Sequence, residues 1–327
     1  MSAHPVRVAV VGTGEFGRNH VRVWQELEGT ELVGIFDTDP GRAQKIAAEF
    51  GVRILPSLDS LAAERVDAVS LAVPTRDHAN VGCRLLDNGF DVLVEKPIAS
   101  SLDEADRLLA SERRSGRILQ IGHVERFNSA VLAAQSIISR PMFFEVHRLG
   151  VFTPRSLDID VVYDVMIHDL DILLSLTHEQ VVDIRAVGIP VVTDKVDIAH
   201  ARLEFSNGTV ANLTASRVST ERIRKLRFFQ EHEYISLDFT RQDVLRVRVQ
   251  PGSARPGINF DKLPTAPEEP LRAELRSFLE CVRSRKSPLV NGAAGRRALE
   301  LADRVMAGIL DHARRVQLSA FSPQEPR

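Results

Sequence analysis

A glycine-rich run near the amino terminus constrains the fold of this chain more than any other feature. Gly12, Gly14 and Gly17 form a G-x-G-x-x-G pattern that follows an apolar, strand-like run over residues 6–11 and opens a helix-like stretch. In that setting the first glycine permits a tight turn, the second lets backbone N–H groups approach a pyrophosphate, and the third lets helix and strand pack closely. We therefore predict a dinucleotide-binding βαβ unit, against the alternative of a plain strand–helix turn.

The first 122 residues alternate strand-like and helix-like segments. Further apolar runs, rich in Val, Ile and Leu, occur at 31–36, 67–73, 91–94 and 117–121. Helical patterns lie between them, near 15–28, 40–50, 75–88 and 101–115. Strands that are apolar along their whole length are typical of a parallel sheet that is buried on both faces. We predict an α/β domain over residues 1–122 with a Rossmann parallel sheet.

Beyond residue 122 the pattern changes to strands with less helix between them. Strand-like segments are predicted at 142–149, 181–189, 198–205, 209–215, 226–230, 234–238 and 244–249. The Asn207-Gly208 pair between two of them is a strong hairpin signal. Helices are predicted near 128–139, 160–176, 271–285 and 293–316, whereas residues 251–270 are expected to be irregular and those after 317 frayed. We predict an α+β domain over residues 123–327 with a mostly antiparallel sheet.

Asp37 indicates which dinucleotide binds. It ends the second predicted strand, 20 residues after Gly17. A carboxylate there accepts hydrogen bonds from the adenosine ribose hydroxyls and repels a 2′-phosphate, which favours NAD over NADP. Arg42, close by in sequence, would weaken that preference, and the alternative role for Asp37 is that of a turn residue.

Two further motifs carry chemistry. Glu95-Lys96-Pro97 follows the fourth predicted strand, where ligands of open α/β sheets bind, and a lysine there can stabilise a developing alkoxide. Asp164 and His168 stand four residues apart on a predicted helix and share a face, which suits a histidine that takes up a proton. The alternatives are a surface Glu–Lys pair for the first and a helix-surface charge cluster for the second. We predict no metal site, because no third ligand is obvious.

The charge balance argues against two classes of partner. With 42 Lys and Arg against 44 Asp and Glu, the formal charge is −2, which gives no global attraction to nucleic acid or an anionic membrane. No apolar run approaches the roughly 20 residues that a membrane span needs. Too few residues precede the first strand for a signal peptide, so we expect a cytoplasmic protein.

Taken in this order, the motifs resemble the glucose–fructose oxidoreductase / inositol dehydrogenase (Gfo/Idh/MocA) family over nearly the whole chain. The resemblance implies an NAD-dependent oxidation of a ring hydroxyl, an open-faced sheet in the substrate domain, and homodimers or homotetramers that pair those sheets. It implies that Lys96 is the catalytic lysine and that Asp164 and His168 are the substrate-domain pair, with the histidine as base. The expected cofactor-binding residues are Gly12, Gly14, Glu15, Phe16, Gly17, Asp37, Pro74, Glu95 and Lys96.

Three segments, at 122–128, 165–171 and 211–217, resemble the branch of this family that oxidises UDP-N-acetylglucosamine to its 3-keto form in bacterial lipid A synthesis. A basic run between Arg217 and Arg227 adds groups that can bind a diphosphate, although a solvated strand face explains it equally well. The expected substrate-binding residues are Lys96, His123, Arg126, Asn128, Arg217 and Arg224. For His123 a structural role at the domain junction stays open. Other sugar nucleotides, free sugars, cyclitols and a non-catalytic NAD-binding sensor stay open as alternatives.

Overall fold

The computed structural model describes residues 4–154, 157–250 and 257–318 and forms two compact units. Unit 1 comprises Met1–Phe127 and Glu268–Leu299, and unit 2 comprises Asn128–Pro267 and Glu300–Arg327. The sequence boundary at 122 lies close to the first of these divisions. The predicted second domain, 123–327, differs from unit 2 at the carboxyl-terminal end, because residues 268–299 belong to unit 1.

Within the described ranges, unit 1 holds a five-stranded parallel sheet in the order β2-β1-β3-β4-β5. Its strands are β1 (Val6–Val11), β2 (Thr30–Phe36), β3 (Ala68–Leu71), β4 (Asp91–Glu95) and β5 (Leu119–Gly122). Its first helices are α1 (Glu15–Glu26), α2 (Pro40–Phe50), α3 (Ser60–Ala63), α4 (Thr75–Asp87) and α5 (Leu102–Ser115). Strands β3, β4 and β5 are buried at every residue, as the continuous apolar runs predicted. The strand order changes direction between β1 and β3, which is where ligands of such sheets bind.

Unit 2 is built on one sheet, which in the described ranges has eight strands in the order β13-β12-β11-β10-β6-β9-β8-β7. The strands are β6 (Phe143–Leu149), β7 (Val181–Ile189), β8 (Ile198–Phe205), β9 (Val210–Ser216), β10 (Ile223–Gln230), β11 (Glu233–Asp238), β12 (Asp243–Gln250) and β13 (Gly257–Lys262). All neighbours are antiparallel except β6 and β9, which confirms the mostly antiparallel prediction. Gly208, with φ +84°, closes the hairpin between β8 and β9.

Strand β13 corrects the sequence analysis, which predicted residues 251–270 to be irregular. It pairs antiparallel with β12 at the edge of the sheet. The neighbouring residues are rich in Pro and Gly, which predicts irregular structure. An edge strand tolerates such neighbours because it pairs on one side only, and its own hydrophobic pattern is weak. Residues 251–256 and the predicted frayed end after residue 318 lie outside the described residues.

The remaining helices are α6 (Ser129–Gln135), α7 (Ile167–Thr177), α8 (Pro270–Ser284) and α9 (Gly292–Arg315). Helix α8 packs its apolar face into the core of unit 1, where Phe278 meets Trp24 of α1 edge to face at 6.4 Å between ring centroids. The sequence predicted this helix, but its own pattern does not say which core it joins. No helix in the described ranges is long and apolar enough to cross a membrane.

Candidate active site

The glycine run forms a tight turn at the end of β1, which we call the glycine cradle. Gly12 has φ +88°, and a Cβ there would lie 2.5 Å from the carbonyl oxygen of Ala72. A Cβ on Gly17 would lie 1.9 Å from the carbonyl oxygen of Gly12, so helix and strand pack as closely as predicted. A Cβ on Gly14 would meet no atom within 4 Å, and this residue is the N-cap of α1 without a capping side chain. The start of α1 therefore has no capping side chain and free space beside Gly14, and helix N-termini of this kind bind a pyrophosphate through their first amides.

Asp37 is held at the end of β2 by the glycine loop itself. Its Oδ2 accepts hydrogen bonds from the backbone N–H of Thr13 at 2.7 Å and from the Thr13 hydroxyl at 2.8 Å. Its Oδ1 accepts the N–H of Asp39 at 2.9 Å, and a guanidinium nitrogen of Arg42 lies 3.6 Å from Oδ2. Burial raises the pKa of Asp37, but these hydrogen bonds and the Arg42 charge outweigh it and leave the pKa below its ordinary value. Thr13 was not among the residues predicted for the site, and its signal in the sequence is a hydroxyl between the first two glycines.

Replacing Asp37 with alanine should lower kcat/KM for NAD by about 10-fold or more, because a charged hydrogen bond to the ribose is worth about 1.5–3 kcal/mol. The ratio of kcat/KM for NADP to that for NAD should rise, because the charge that repels a 2′-phosphate is gone. Steady-state kinetics with both cofactors measure this ratio. Asp39→Ala is the matched control, since Asp39 caps α2. A wild-type preference for NADP would contradict the assignment.

Glu95-Lys96-Pro97 follows β4 at the carboxyl edge of the sheet. The Glu95 carboxyl is buried, with Oε1 2.8 Å from Nε2 of His20 and Oε2 3.2 Å from the backbone N–H of Lys96. Burial raises the pKa of Glu95, but the hydrogen bond and charge of His20, followed by the Lys96 charge, leave the pKa below its ordinary value. Lys96 is half-buried, and its peptide bond to Pro97 is cis. A carboxylate therefore supports the backbone that carries the lysine.

His78 joins the two segments that follow β3 and β4. Its Nδ1 lies 2.9 Å from the carbonyl oxygen of Pro97, and its Nε2 lies 2.9 Å from that of Val73. Burial lowers the pKa of His78. Pro74, which was expected to contact the cofactor, is the exposed N-cap of α4 next to Val73. His78 was not predicted as a site residue, because nothing in the local sequence pattern distinguishes it from a core histidine.

In unit 2, a π-helical turn (Val162–Met166) leads directly into α7. Asp164 lies in the π turn and His168 in the first turn of α7, and both are half-buried. The predicted helix over 160–176 is therefore found, but as two helix types. Single π turns occur frequently at functional sites.

The residue after His168 anchors α7 to the sheet. Asp169 accepts two parallel hydrogen bonds from Arg148 of β6, with Nε to Oδ2 at 2.9 Å and the terminal nitrogen to Oδ1 at 2.7 Å. Both side chains are almost fully buried, and the guanidinium carbon lies 4.7 Å from the ring centroid of Phe239. This pair holds the start of α7, and with it His168, on the sheet of unit 2.

The structure separates the residues of the basic run. Arg217 is buried, with Nε 3.7 Å from Oδ1 of Asp197 and a hydrogen bond to the carbonyl oxygen of Ile159. Lys225 and Arg227 lie beside acidic side chains of the sheet, Asp238 and Glu145. Arg222 and Arg224 are exposed. Arg224 lies directly opposite Arg148 in the register of β10 and β6, so both side chains are on the face of the sheet that packs against α7.

The three expected substrate residues near 123–128 are all buried. His123 follows β5, and Arg126 lies in a 3₁₀ turn (Val124–Phe127) of unit 1. Asn128 begins unit 2, where its Oδ1 caps α6 by accepting the N–H of Ala130 at 3.1 Å. Its Nδ2 donates to the carbonyl oxygen of Phe239 at 3.0 Å. Asn128 therefore has a structural task in addition to any contact with substrate.

A glycine cradle at the switch point of a parallel sheet, with an ionised acid at the end of β2, defines an NAD-binding oxidoreductase of the Rossmann class. The model of an oxidoreductase family with an NAD-binding Rossmann fold matches residues 6–123, and that of the GFO/IDH/MocA C-terminal domain matches residues 130–235. The chain belongs to the GFO/IDH/MocA family, and its cofactor is NAD.

Two characterised relatives match over most of their length. The UDP-N-acetylglucosamine 3-dehydrogenase of Acidithiobacillus ferrooxidans is 39% identical over 93% of this chain and 97% of that protein, and its solved structure superposes with a TM-score of 0.86. The scyllo-inositol 2-dehydrogenase (NAD(+)) of Bacillus subtilis is 28% identical over 88% of this chain and 89% of that protein. An oxidoreductase from Agrobacterium radiobacter, solved with NAD+, L-tartaric acid and magnesium, shares the fold at 17% identity, with a TM-score of 0.83 over 94% of this chain and 97% of that one.

Proposed function

We propose that the protein oxidises a ring hydroxyl of a sugar nucleotide and that UDP-N-acetylglucosamine, converted to its 3-keto form, is the substrate. One observation carries the choice of substrate. The dehydrogenase of Acidithiobacillus ferrooxidans that bears this activity in its name is 39% identical over 93% of the chain. A place in lipid A synthesis, where a 3-amino sugar follows from a 3-keto sugar nucleotide, belongs to the same proposal.

The oxidation removes a hydride from carbon and a proton from oxygen, and bound NAD supplies the hydride acceptor. We assign the proton to His168, because a neutral imidazole has a lone pair to accept it and a charged ammonium has none. Asp164, one turn earlier, would stabilise the resulting imidazolium. Lys96 would hydrogen-bond the hydroxyl and stabilise the alkoxide as the hydride leaves.

A direct assay tests the substrate. The protein is incubated with NAD and UDP-N-acetylglucosamine, other UDP-sugars or inositols, while absorbance of the reduced nicotinamide is followed. In mass spectrometry the 3-keto product from UDP-N-acetylglucosamine should be lighter than the substrate by two hydrogen atoms. After trapping by an aminotransferase with glutamate, the product should be the amino sugar, in which an amino group replaces the oxidised hydroxyl. Turnover of inositols alone would favour the second candidate, which the 28% identity to the scyllo-inositol dehydrogenase supports.

Arg224 is the member of the basic run that we propose to bind the diphosphate. It is exposed, whereas Arg217 is buried against Asp197. Arg224→Ala should raise KM for the UDP-sugar by about 10-fold or more, because charged hydrogen bonds to phosphate are lost. Arg222→Ala, also exposed, is the matched control and should leave KM within a few-fold. Equal KM values for wild type and both variants would favour the alternative interpretation, in which the basic run is a solvated strand face.

We also propose a homodimer or homotetramer that forms through the sheet of unit 2. Ile258 and Phe260 of β13, exposed by 58% and 69%, share one face of the sheet with the exposed Leu245 of β12. Apolar side chains grouped on an open sheet face are typical of an association surface. Light scattering in solution measures the oligomeric state, and Phe260→Lys should shift it toward the monomer.

A further inference from the structure

A buried carboxyl on α8 takes no part in the proposed chemistry and forms no hydrogen bond with any residue that the structure describes. Glu274 has 0% exposure, and neither of its oxygens has a hydrogen-bond partner within the described ranges. Its backbone carbonyl accepts the side-chain N–H of Gln120 at 3.3 Å, which places it beside β5. Helix α8 packs against α1 and against the 3₁₀ turn at 124–127. A carboxyl in such a place is costly to ionise.

A second buried carboxyl, that of Glu95, lies close enough to interact with it electrostatically. The two surroundings differ sharply, because Glu95 contacts His20 at 2.8 Å and the backbone N–H of Lys96 at 3.2 Å. Glu95 is also tightly packed, since a Cβ on Gly122 would lie 3.0 Å from its carboxyl carbon. Two carboxyls buried together do not both ionise near neutral pH, so the one with the better hydrogen bonds takes the charge.

We propose that Glu95 and Glu274 share one proton, that His20 assigns the negative charge to Glu95, and that Glu274 is a positioning residue that acts through Glu95 on Lys96. Burial and the Glu95 charge raise the pKa of Glu274 well above its ordinary value. A single negative charge then remains beside Lys96, the residue that we propose to stabilise the alkoxide. The consequence for catalysis rests on the proposed function, whereas the shared proton does not.

The groups that face this pair come from every element around it. His20 of α1, His78 of α4 and Lys96 after β4 interact with Glu95. The 3₁₀ turn against which α8 packs carries the buried Glu125 and Arg126. Of these, His20 has the hydrogen bond to Glu95 and therefore decides which carboxyl keeps the proton. Without that donor, only the backbone N–H and the charge of Lys96 still oppose the effect of burial on Glu95, and the charge moves toward Glu274.

Infrared spectroscopy tests the shared proton without substrate or cofactor. The wild-type protein at pH 8 should show the carbonyl band of a protonated carboxylic acid, although free carboxyls are ionised there. Glu274→Gln should abolish that band, and Glu280→Gln, on the exposed side of the same helix, should leave it. A wild-type spectrum without the band, or a band that survives in Glu274→Gln, overturns the proposal. The wild-type measurement decides the matter even if a variant fails to fold.

The pH profile of kcat tests the link to Lys96. His20→Met should move the alkaline fall of kcat to lower pH by about 1 unit, because Lys96 loses its charged neighbour. Adding Glu274→Gln to that variant should reverse at least half of the shift, since Glu95 is then the only carboxyl left to ionise. His20→Gln, which keeps an N–H donor, should stay close to wild type. A double variant no better than His20→Met overturns the link, whereas a protein with the infrared band but no turnover of UDP-sugars contradicts the proposed function alone.

Discussion

Replacing His168 with asparagine should lower kcat for the proposed oxidation by about 10²–10⁴-fold, the range expected when a general base is lost. Asparagine keeps the approximate volume and polarity but has no lone pair basic enough to take the hydroxyl proton. The position of His168 in the first turn of α7, directly after the π turn, should be unchanged. Single-turnover and steady-state kinetics give the effect on kcat separately from that on substrate binding.

The pH profile distinguishes loss of the base from a general loss of structure. Histidine side chains change charge between about pH 6 and 7.5, so wild-type kcat should rise through that range as the base becomes neutral. His168→Asn should flatten this limb. His200→Asn, at an exposed position of β8, is the matched control and should keep both the limb and most of kcat. If His168→Asn retained the wild-type limb, the base would be another group.

Breaking the buried pair of Arg148 and Asp169 should have the largest effect on stability. Arg148→Met should lower the free energy of unfolding by about 3–5 kcal/mol, because it leaves the buried Asp169 carboxylate without its cation. The contact of the guanidinium with the Phe239 ring is lost as well. Urea denaturation of wild type and variant measures the difference.

Two comparisons make this measurement specific. Arg148→Met combined with Asp169→Leu should lose much less than the single variant, because no uncompensated charge stays buried. Arg185→Met breaks an exposed pair with Asp183 and should cost at most about 1 kcal/mol. A loss for Arg148→Met as small as that for Arg185→Met would contradict the prediction.

The Rossmann half of this protein was predictable because its signals are local. A strand that is buried on both faces must be mostly apolar, and β1, which is apolar except for Arg7, spans the predicted run at 6–11. The glycines of the cradle were equally predictable from the sequence, since a left-handed turn at Gly12 and a close approach at Gly17 each exclude a side chain. In unit 2 the alternation of β8 and the hairpin at Gly208 follow from the same short-range rules.

Other features depend on partners far away in sequence, and only the tertiary structure decided them. Strand β13 exists because β12 offers it an edge, and α8 joins the core of unit 1 because Trp24 and its neighbours leave an apolar surface there. Arg217 and Arg224 look alike in the sequence, yet the first is buried beside Asp197 and the second is exposed. The burial of Glu274 near Glu95 likewise unites residues about 180 positions apart. The periodicity that predicts a strand or a helix is a property of a few consecutive residues. Burial and charge pairing depend on residues that are distant in sequence and become neighbours only when the chain folds.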